Sequence, residues 1–399
     1  MKKIISIILC AVMMLNGTAF FAFASVEEGD IYAEGDLVNN AVDTNSLEIN
    51  AKSAILMDAE TGIALYNKNA TEALAPASVT KIMTLLLIAE AIDDGNITLT
   101  DKVAVSGNAA SMGGSQVFIE EGEEFTVEEL LKCTVIASAN DAAVALAELL
   151  CGTEGAFVER MNERAAELGM NNTHFENATG LDDTVTNHLT SAYDIALMSR
   201  ELIKHDIITK YSNVWQDSIR DGDFVLTNTN RLVRYYDGCT GLKTGSTDKA
   251  GFCVSATAKR DGMHLIAVVM GAQTRDERNN AARAMLDFGF SNYAIYSEPE
   301  QELESVDVIR GVSDTVSVYA APFAKLVNKK DRKRIEKEYA IPYELSAPIT
   351  QGDVVGSVIY KLDGEEIGRS DIFAKDSVDG ITLIGLFGRI IKIILTGKY

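Results

Sequence analysis

The sequence has few of the residues from which metal centres and disulfide frameworks are built. Its 399 residues include five cysteines and four histidines, and the histidines are scattered singly along the chain. Because no two cysteines show a C-x-x-C or other zinc-type spacing, we expect neither a metal ion nor a cofactor. Apart from one cysteine in the predicted signal peptide described below, the cysteines are Cys133, Cys151, Cys239 and Cys253. We expect free, buried thiols, although one disulfide stays possible in an exported protein.

Positive charge is also scarce. The chain has 36 lysines and arginines against 58 aspartates and glutamates, which gives a formal net charge of −22. An acidic protein is repelled by phosphate backbones, so nucleic acid is excluded as the default partner. The apolar content of 47% is ample for a packed core. At about 150 residues per domain, the length predicts two or three domains.

The N-terminal segment has the composition of an export signal. Two lysines precede an apolar run over 4–15, and small residues follow at 22–24. This arrangement predicts a cleaved signal peptide over 1–24. A retained transmembrane anchor is the alternative, but the apolar run is short for a span. The acidic, polar stretch 25–46 is interpreted as a flexible leader.

Residues 47–295 are predicted to form an α+β domain. A strand, a turn and a strand over 51–66 open it, helical patterns fill its middle, and short β-type runs follow. The predicted helices span 79–92, 126–136, 141–151, 156–168, 191–204 and 279–288, and the late strands span 241–244, 252–258 and 265–270. Strands at both ends with helices between them indicate one antiparallel sheet that pairs the opening hairpin with the late strands.

A smaller all-β domain is predicted over 300–377. Its β-type runs span 305–309, 315–319, 354–360 and 368–373, and Asp363-Gly364 marks a hairpin turn. Within this domain lies the basic run 329–334. A solvated loop and a contact with an anionic wall polymer or lipid surface are the two interpretations of that run.

The C-terminal residues 378–399 have the pattern of an amphipathic helix. The apolar stretch 381–395 is interrupted by small or polar residues three or four positions apart, which place them on one helical face. A helix of this length reaches about 22 Å, short of the roughly 30 Å hydrocarbon core. From residue 381 onward the chain has cationic residues and no acidic ones, which favours a helix that lies in a membrane interface. A core helix of the β domain is the alternative.

Three short motifs occur in an order that matters more than any of them alone. They are Ser78-Val79-Thr80-Lys81, Ser138-Ala139-Asn140 and Lys243-Thr244-Gly245. Residues i and i+3 of a helix lie on one face, so Ser78 and Lys81 can meet. A serine hydroxyl becomes a good nucleophile once a base takes its proton, and burial in an apolar helix favours the neutral, basic form of lysine. Backbone N–H groups at a helix N-terminus also stabilise developing negative charge.

With these motifs the sequence resembles the low-molecular-mass penicillin-binding serine D-alanyl-D-alanine carboxypeptidases, which are related in fold to serine β-lactamases. Further segments similar to the family are 75–78, 169–175, Asn177 with Gly180-Leu181, and 243–251. The resemblance implies a β-lactamase-like catalytic domain followed by the β domain and the terminal helix. It also implies an exported enzyme at the outer face of the cytoplasmic membrane, facing the cell wall. The implied partners are a peptidoglycan stem peptide ending in D-Ala-D-Ala, and β-lactams as inhibitors.

The resemblance assigns roles to the first two motifs. Ser78 is then the acylated nucleophile, and Lys81 is its proton acceptor. Ser138 and Asn140, at a break between two helices, would relay a proton and hold the substrate amide.

The third motif would line the cleft from a strand. By the resemblance, Lys243 tunes the electrostatics beside the second motif, and Thr244 and Ser246 bind the terminal carboxylate of the substrate. Gly245 would leave room for the substrate backbone. Many relatives have histidine after this glycine, so Ser246 departs from one common form and leaves the fine substrate preference open.

A carboxylate substrate also calls for an arginine, because the planar guanidinium matches a carboxylate at two points. Arg278, expected just ahead of the last helix of the domain, resembles the family arginine in this role. Arg275 is the near competitor, and an ordinary surface charge is the other interpretation.

Two other functions fit parts of the pattern. A serine β-lactamase shares the first steps but hydrolyses its acyl-enzyme with an additional glutamate and a water molecule. No E-x-x-L-N element lies between the second and third motifs, where the stretch 171–183 with Glu176 has a different pattern. We therefore expect slow deacylation of penicillin. A catalytically silent wall-binding protein of the same fold is the second alternative, although all three motifs are intact.

Overall fold

The computed structural model describes residues 47–396, and the predicted signal peptide and acidic leader lie outside the described residues. The elements before residue 293 are β1 Ser53–Asp58, β2 Ala64–Lys68, α1 Lys81–Asp93, β3 Lys102–Ala104, α2 Gly107–Ala110, β4 Glu124–Thr126, α3 Val127–Ile136, α4 Asn140–Cys151, α5 Glu154–Glu167, α6 Ala192–Leu202, α7 Asp206–Ser212, β5 Gln216–Ile219, β6 Phe224–Thr227, α8 Leu232–Tyr235, β7 Cys239–Thr247, β8 Gly251–Arg260, β9 Met263–Ala272 and α9 Arg275–Asn292.

A five-stranded antiparallel sheet organises this part of the chain, in the order β2-β1-β9-β8-β7. The predicted pairing of the opening hairpin with a late strand is confirmed, because β1 pairs with β9. Side chains alternate between the two faces of β1. Ile55 and Met57 pack into a core shared with the helices α1, α3, α4 and α6, whereas Ala54 and Leu56 pack on the opposite side against α9. The sheet is therefore covered on both faces, and β7 forms one of its edges.

Helix α1 crosses the middle of the helical core. The sequence predicts burial on nearly all sides, and the residues from Ile82 to Ala89 are all buried. The helix ends before Gly95, whose φ of +74° suits the left-handed turn that stops a helix. Burial on all faces explains why a lysine at the start of this helix has no route to solvent.

Helix α9 begins earlier than the predicted span 279–288. Thr274 accepts a hydrogen bond from the N–H of Glu277, and the Glu277 carboxylate accepts one from the N–H of Thr274. This capping box sets the helix start at Arg275. Arg278 consequently lies inside the first turn of the helix and not ahead of it, which corrects the sequence-based placement.

The remaining strands are β10 Tyr293–Glu298, β11 Gln301–Glu302, β12 Val306–Ile309, β13 Thr315–Val316, β14 Val318–Ala320, β15 Phe323–Asn328, β16 Ile335–Ala340, β17 Glu344–Ser346, β18 Val354–Leu362 and β19 Glu365–Ala374. They form a five-stranded sheet in the order β11-β14-β19-β18-β16, a three-stranded sheet β13-β12-β17 and the pair β10-β15. The predicted turn Asp363-Gly364 joins β18 to β19, with both residues at positive φ. Strands β10, β11, β15, β16 and β17 have no counterpart among the β-type runs predicted from the sequence, and the basic run 329–334 lies between β15 and β16.

The chain ends in helix α10, Leu383–Thr396, close to the predicted span. Among the described residues, no helix is both long and apolar enough to cross a membrane. The apolar side chains exposed on α10 are Leu383, Ile384, Leu386, Phe387, Ile390, Ile391, Ile394 and Leu395. The four cysteines Cys133, Cys151, Cys239 and Cys253 are free thiols, and Cys133 and Cys253 are buried.

Candidate active site

Ser78 lies on a short 3₁₀ turn, Ala77–Thr80, that leads directly into α1. In this tight helix, side chains three positions apart are nearly eclipsed. The Ser78 hydroxyl oxygen therefore lies 3.0 Å from Lys81 Nζ, as the spacing predicts. Ala77, with a φ of +49°, gives the chain a sharp bend just before the serine. Ser78 is half-buried, whereas the other three residues of the turn are buried.

Lys81 is completely buried, with Nζ 2.5 Å from Asn140 Oδ1 and 2.9 Å from the Thr179 carbonyl oxygen. Burial, and then the charge of Lys243, hold the pKa of Lys81 well below its ordinary value. A neutral amine has two N–H donors and one lone pair. Lys81 Nζ is surrounded by the oxygens of Ser78, Asn140 and Thr179; in the neutral form, Asn140 and Thr179 would take its two N–H groups and the lone pair would face the Ser78 hydroxyl. Lys81 Nζ is therefore held in contact with the Ser78 hydroxyl.

The second motif lies at the predicted break between α3 and α4. Ser138 is 3% exposed and has a φ of +63°, which turns the chain before Asn140 begins α4. Asn140 Nδ2 donates to the Gly113 carbonyl oxygen at 2.7 Å, and its backbone N–H donates to the Ser115 carbonyl oxygen. The side chain of Asn140 is thus fixed between Lys81 and the loop 111–121.

Lys243 connects the second and third motifs. Its Nζ donates to Ser138 Oγ at 2.7 Å and to the Thr244 carbonyl oxygen at 3.0 Å. Burial, and then the charge of Arg278, lower the pKa of Lys243 to about 7. Two lysine–serine pairs, Ser78–Lys81 and Ser138–Lys243, therefore lie in one site, and the two lysines are close enough for Lys243 to disfavour the charge on Lys81.

Strand β7 passes very close to the turn that carries Ser78. A Cβ on Gly245 would lie 2.8 Å from the Pro76 carbonyl oxygen and 2.8 Å from the Ser78 nitrogen. The glycine is thus required by contact with the chain's own backbone, a reason the sequence analysis did not give. Thr244 is buried, and its hydroxyl donates to Thr229 Oγ1 at 2.8 Å. Ser246, next along the strand, is exposed.

The guanidinium of Arg278 is buried in the first turn of α9, and Nε and Nη2 both donate to Asn279 Oδ1. Burial, and then the charge of Arg275, lower the pKa of Arg278 to about 10. The competitor Arg275 is exposed. Of the two arginines, Arg278 is the one whose charge acts on Lys243.

The segment 177–180 supplies parts of the site that the sequence analysis did not assign. Gly180 has a φ of +84°, and a Cβ there would lie 1.8 Å from the Ala77 carbonyl oxygen. Asn177 Oδ1 accepts from the N–H groups of Thr179 and Gly180, which curls the backbone and aims the Thr179 carbonyl at Lys81. The Asn-x-x-Gly spacing was the available signal, because such side chains fold turns around a glycine.

The buried Asp141, beside the second motif, was also missed. Its carboxylate accepts from the backbone N–H groups of Val117 and Ile119 and fixes the base of the loop 111–121. On the outer side of this loop, Arg220 donates to the carbonyl oxygens of Val117 and Phe118. In the described part of the chain, no cluster of histidine, cysteine and acidic side chains could hold a metal ion.

Two family models match the chain. The family described as D-alanyl-D-alanine carboxypeptidase matches residues 39–274, and the C-terminal domain of penicillin-binding protein 5 matches residues 290–380. D-alanyl-D-alanine carboxypeptidase DacF of Bacillus subtilis (strain 168) is 43% identical over 385 residues, 95% of each chain.

Solved structures agree with this likeness. Penicillin-binding protein 5 from Haemophilus influenzae matches with a TM-score of 0.68 and 30% identity, over 83% of this chain and 98% of that one. A penicillin-binding protein from Listeria monocytogenes in its ampicillin-bound form matches with a TM-score of 0.57 and 32% identity, over 61% of this chain and 99% of that one.

Proposed function

The chain belongs to the D-alanyl-D-alanine carboxypeptidase family and is a serine-type carboxypeptidase of the penicillin-binding group, and from this premise we propose how its residues perform the reaction. The substrate is a peptidoglycan stem peptide that ends in D-Ala-D-Ala. Ser78 Oγ attacks the carbonyl carbon of the penultimate D-alanine while its proton passes to Lys81 Nζ. The observation that carries the proposal is the 3.0 Å contact between these atoms, at a buried lysine whose Nζ is also held by Asn140 Oδ1 and the Thr179 carbonyl oxygen.

The second lysine–serine pair serves the leaving group. Ser138 Oγ, hydrogen-bonded to Lys243 Nζ, gives its proton to the amine of the departing D-alanine and receives in return the proton that Lys81 took from Ser78, so that both groups regain their starting states. The terminal carboxylate binds at Lys243, Thr244 and Ser246, with Arg278 adding positive charge behind them. Asn140 Nδ2 has one further N–H, which holds the substrate amide. Water then hydrolyses the ester on Ser78 and releases the shortened stem.

The decisive test of this assignment uses two substrates. Ser78→Ala should abolish both D-alanine release from a pentapeptide and covalent labelling by a fluorescent penicillin, and peptide mapping should place the label on Ser78. Lys102→Gln, at an exposed position outside the site, is the control and should keep both the label and D-alanine release. Unchanged D-alanine release by Ser78→Ala would refute the assignment.

β-Lactamases have the same fold, but the surroundings of Glu176 do not favour β-lactamase activity in this protein. Glu176 lies in the stretch where a water-activating glutamate would be sought. Its carboxylate accepts from the Asn187 N–H, and its own N–H donates to His188. We propose that this glutamate braces the segment 176–188 and does not activate water. The three intact motifs likewise disfavour a catalytically silent wall-binding protein.

We also propose that the enzyme is exported with a signal peptide over 1–24, and that helix α10 holds it at the membrane surface. Eight apolar side chains of α10 are exposed, and Arg389 at the same helix pairs with Asp314 of the β domain. The proposed domain bounds, 47–295 and 300–377, place the catalytic residues far along the chain from this helix. A chain truncated after Asp376 should stay active and lose its partition into membranes. Equal partition of both forms would contradict the anchor.

A further inference from the structure

Strand β7 is an edge strand that lies beside the turn carrying Ser78. In the sheet order it neighbours β8 alone, and Gly245, near its C-terminal end, lies against the turn that carries Ser78. The free N–H and C=O groups of an edge strand pair readily with an added extended peptide. Under the proposed function, the stem peptide lies along this edge.

The positions of the site residues along β7 set the direction of that peptide. Lys243 and Thr244, which hold the terminal carboxylate, precede Gly245 on the strand. The peptide on the other side of the scissile bond must therefore run past Ser246 and Thr247, towards the C-terminal end of β7. At about 3.4 Å per residue, the stem residue just before D-Ala-D-Ala lies within about 7 Å of the reacting carbonyl.

A cavity of about 460 Å³ opens where this path leaves the strand. It starts at Ser246 and Thr247, continues along the β7–β8 turn 248–251, and is closed by Phe252, by 271–273 and by Lys52. A space of this size accommodates a whole amino-acid side chain together with bound water. Ser246, the residue of β7 that follows Gly245, is part of the cavity lining.

The rim of this cavity is cationic. Lys52 and Lys249 are both exposed on it, beside Asp248 of the lining and Asp182, whose carboxylate accepts a hydrogen bond from the Thr247 hydroxyl. Over the described range 47–396, none of the ion pairs involves either lysine. The absence of a side chain on Gly271, near the end of β9, leaves room for Lys52, because a Cβ on Gly271 would come within 2.8 Å of Lys52 Cγ and Cδ. Two unpaired cations thus border one cavity in a protein whose net charge is −22.

We propose that this cavity is a subsite for a carboxylate on the stem residue that precedes D-Ala-D-Ala, and that Lys52 and Lys249 bind this carboxylate. The inference rests on the proposed function and concerns the selectivity of the enzyme. Exposed charge pairs of this kind each change affinity by about two- to five-fold. The two lysines together should therefore favour an acidic stem residue by about ten-fold.

The test compares two peptides, N-acetyl-L-Glu-D-Ala-D-Ala and N-acetyl-L-Gln-D-Ala-D-Ala, with the full-length protein. The wild-type enzyme should release D-alanine from the glutamate peptide with a lower KM, and the preference should shrink at high salt. Lys52→Gln and Lys249→Gln should each reduce the preference, and the double variant should abolish it through the KM of the glutamate peptide. Lys102→Gln, an exposed lysine away from the cavity, is the matched control and should keep the preference.

Labelling by a fluorescent penicillin verifies that each variant is folded. A double variant that labels normally and still prefers the glutamate peptide would overturn the inference, as would a wild-type enzyme that uses both peptides equally. A wild-type enzyme that releases D-alanine from neither peptide would instead overturn the proposed function.

Discussion

Acid should destabilise the catalytic domain through one buried histidine next to the nucleophile's turn. His188 is 1% exposed, its Nδ1 accepts from the Glu176 N–H at 3.0 Å, and its Nε2 lies 2.8 Å from Thr80 Oγ1. The Thr80 hydroxyl donates its own proton to the Ala77 carbonyl oxygen. Nε2 is therefore the protonated nitrogen, and a second proton on Nδ1 would face the N–H of Glu176.

The magnitude follows from the pKa of this ring. Burial lowers the pKa of His188 to about 4 from its ordinary 6.5. Between these values the unfolded chain binds a proton that the folded chain does not bind. The stabilising contribution is therefore complete above pH 6.5 and is lost as the pH falls to about 4. At about 1.4 kcal/mol per pH unit, the loss at pH 4 is about 3 kcal/mol.

Urea unfolding followed by the fluorescence of Trp215, the single tryptophan of the chain, measures this loss. His188→Asn keeps an acceptor near the position of Nδ1 and removes the titrating ring. Between pH 7 and pH 4, the wild type should lose about 3 kcal/mol more than this variant. His174→Asn, at an exposed histidine of the same segment, should behave like the wild type. Burial also lowers the pKa of His264 to about 4. This histidine is present in all three proteins, so its contribution to the loss of stability is the same in each and drops out of the comparison. Equal losses in wild type and His188→Asn would refute the reasoning.

Three further predictions concern the site. Because the pKa of Lys243 is lowered to about 7, this lysine is charged below that pH and neutral above it, so the KM of a D-Ala-D-Ala peptide should rise as the pH passes 7. Arg278→Gln should shift this rise to higher pH, and a pH profile that keeps its midpoint would contradict the electrostatic link. Gly180→Ala places a Cβ 1.8 Å from a backbone oxygen of the nucleophile's turn and should abolish penicillin labelling, whereas Gly155→Ala, in open space, should not; normal labelling of the first variant would be the contrary result. Penicillin should leave a persistent adduct on Ser78 in intact-mass spectra, and rapid recovery of unmodified protein would instead indicate a β-lactamase.

Patterns within short stretches of the sequence correctly predicted several helices, a turn and one contact of the site. The apolar run of α1 and the hairpin turn Asp363-Gly364 are both local, and the structure has each of them. The pairing of Ser78 with Lys81 follows from helical spacing alone. By contrast, the start of α9 was placed too late, because the Thr274–Glu277 capping box was overlooked although both residues are in the sequence.

Other features depend on contacts between distant segments. The carbonyl oxygen of Thr179 carries no side-chain signal, and only its position against Lys81 gives it a role. Strand β16 is exposed along most of its length and has no apolar alternation, so it forms because β18 pairs with it. A glycine is likewise required at position 245 only because β7 touches the turn that begins at Ala77, a contact that the local sequence does not show.

That last contact also determines when the enzyme first becomes reactive. The turn of Ser78 is enclosed by Gly180 and by Gly245, which the ribosome adds long after it. Pairing over such sequence separations is slow and cannot start until the later strands exist. A nascent chain therefore contains Ser78 before the segments that complete its site. Labelling by penicillin should accordingly report the completion of folding, and a pulse-chase experiment would follow the maturation of this protein by its reactivity alone.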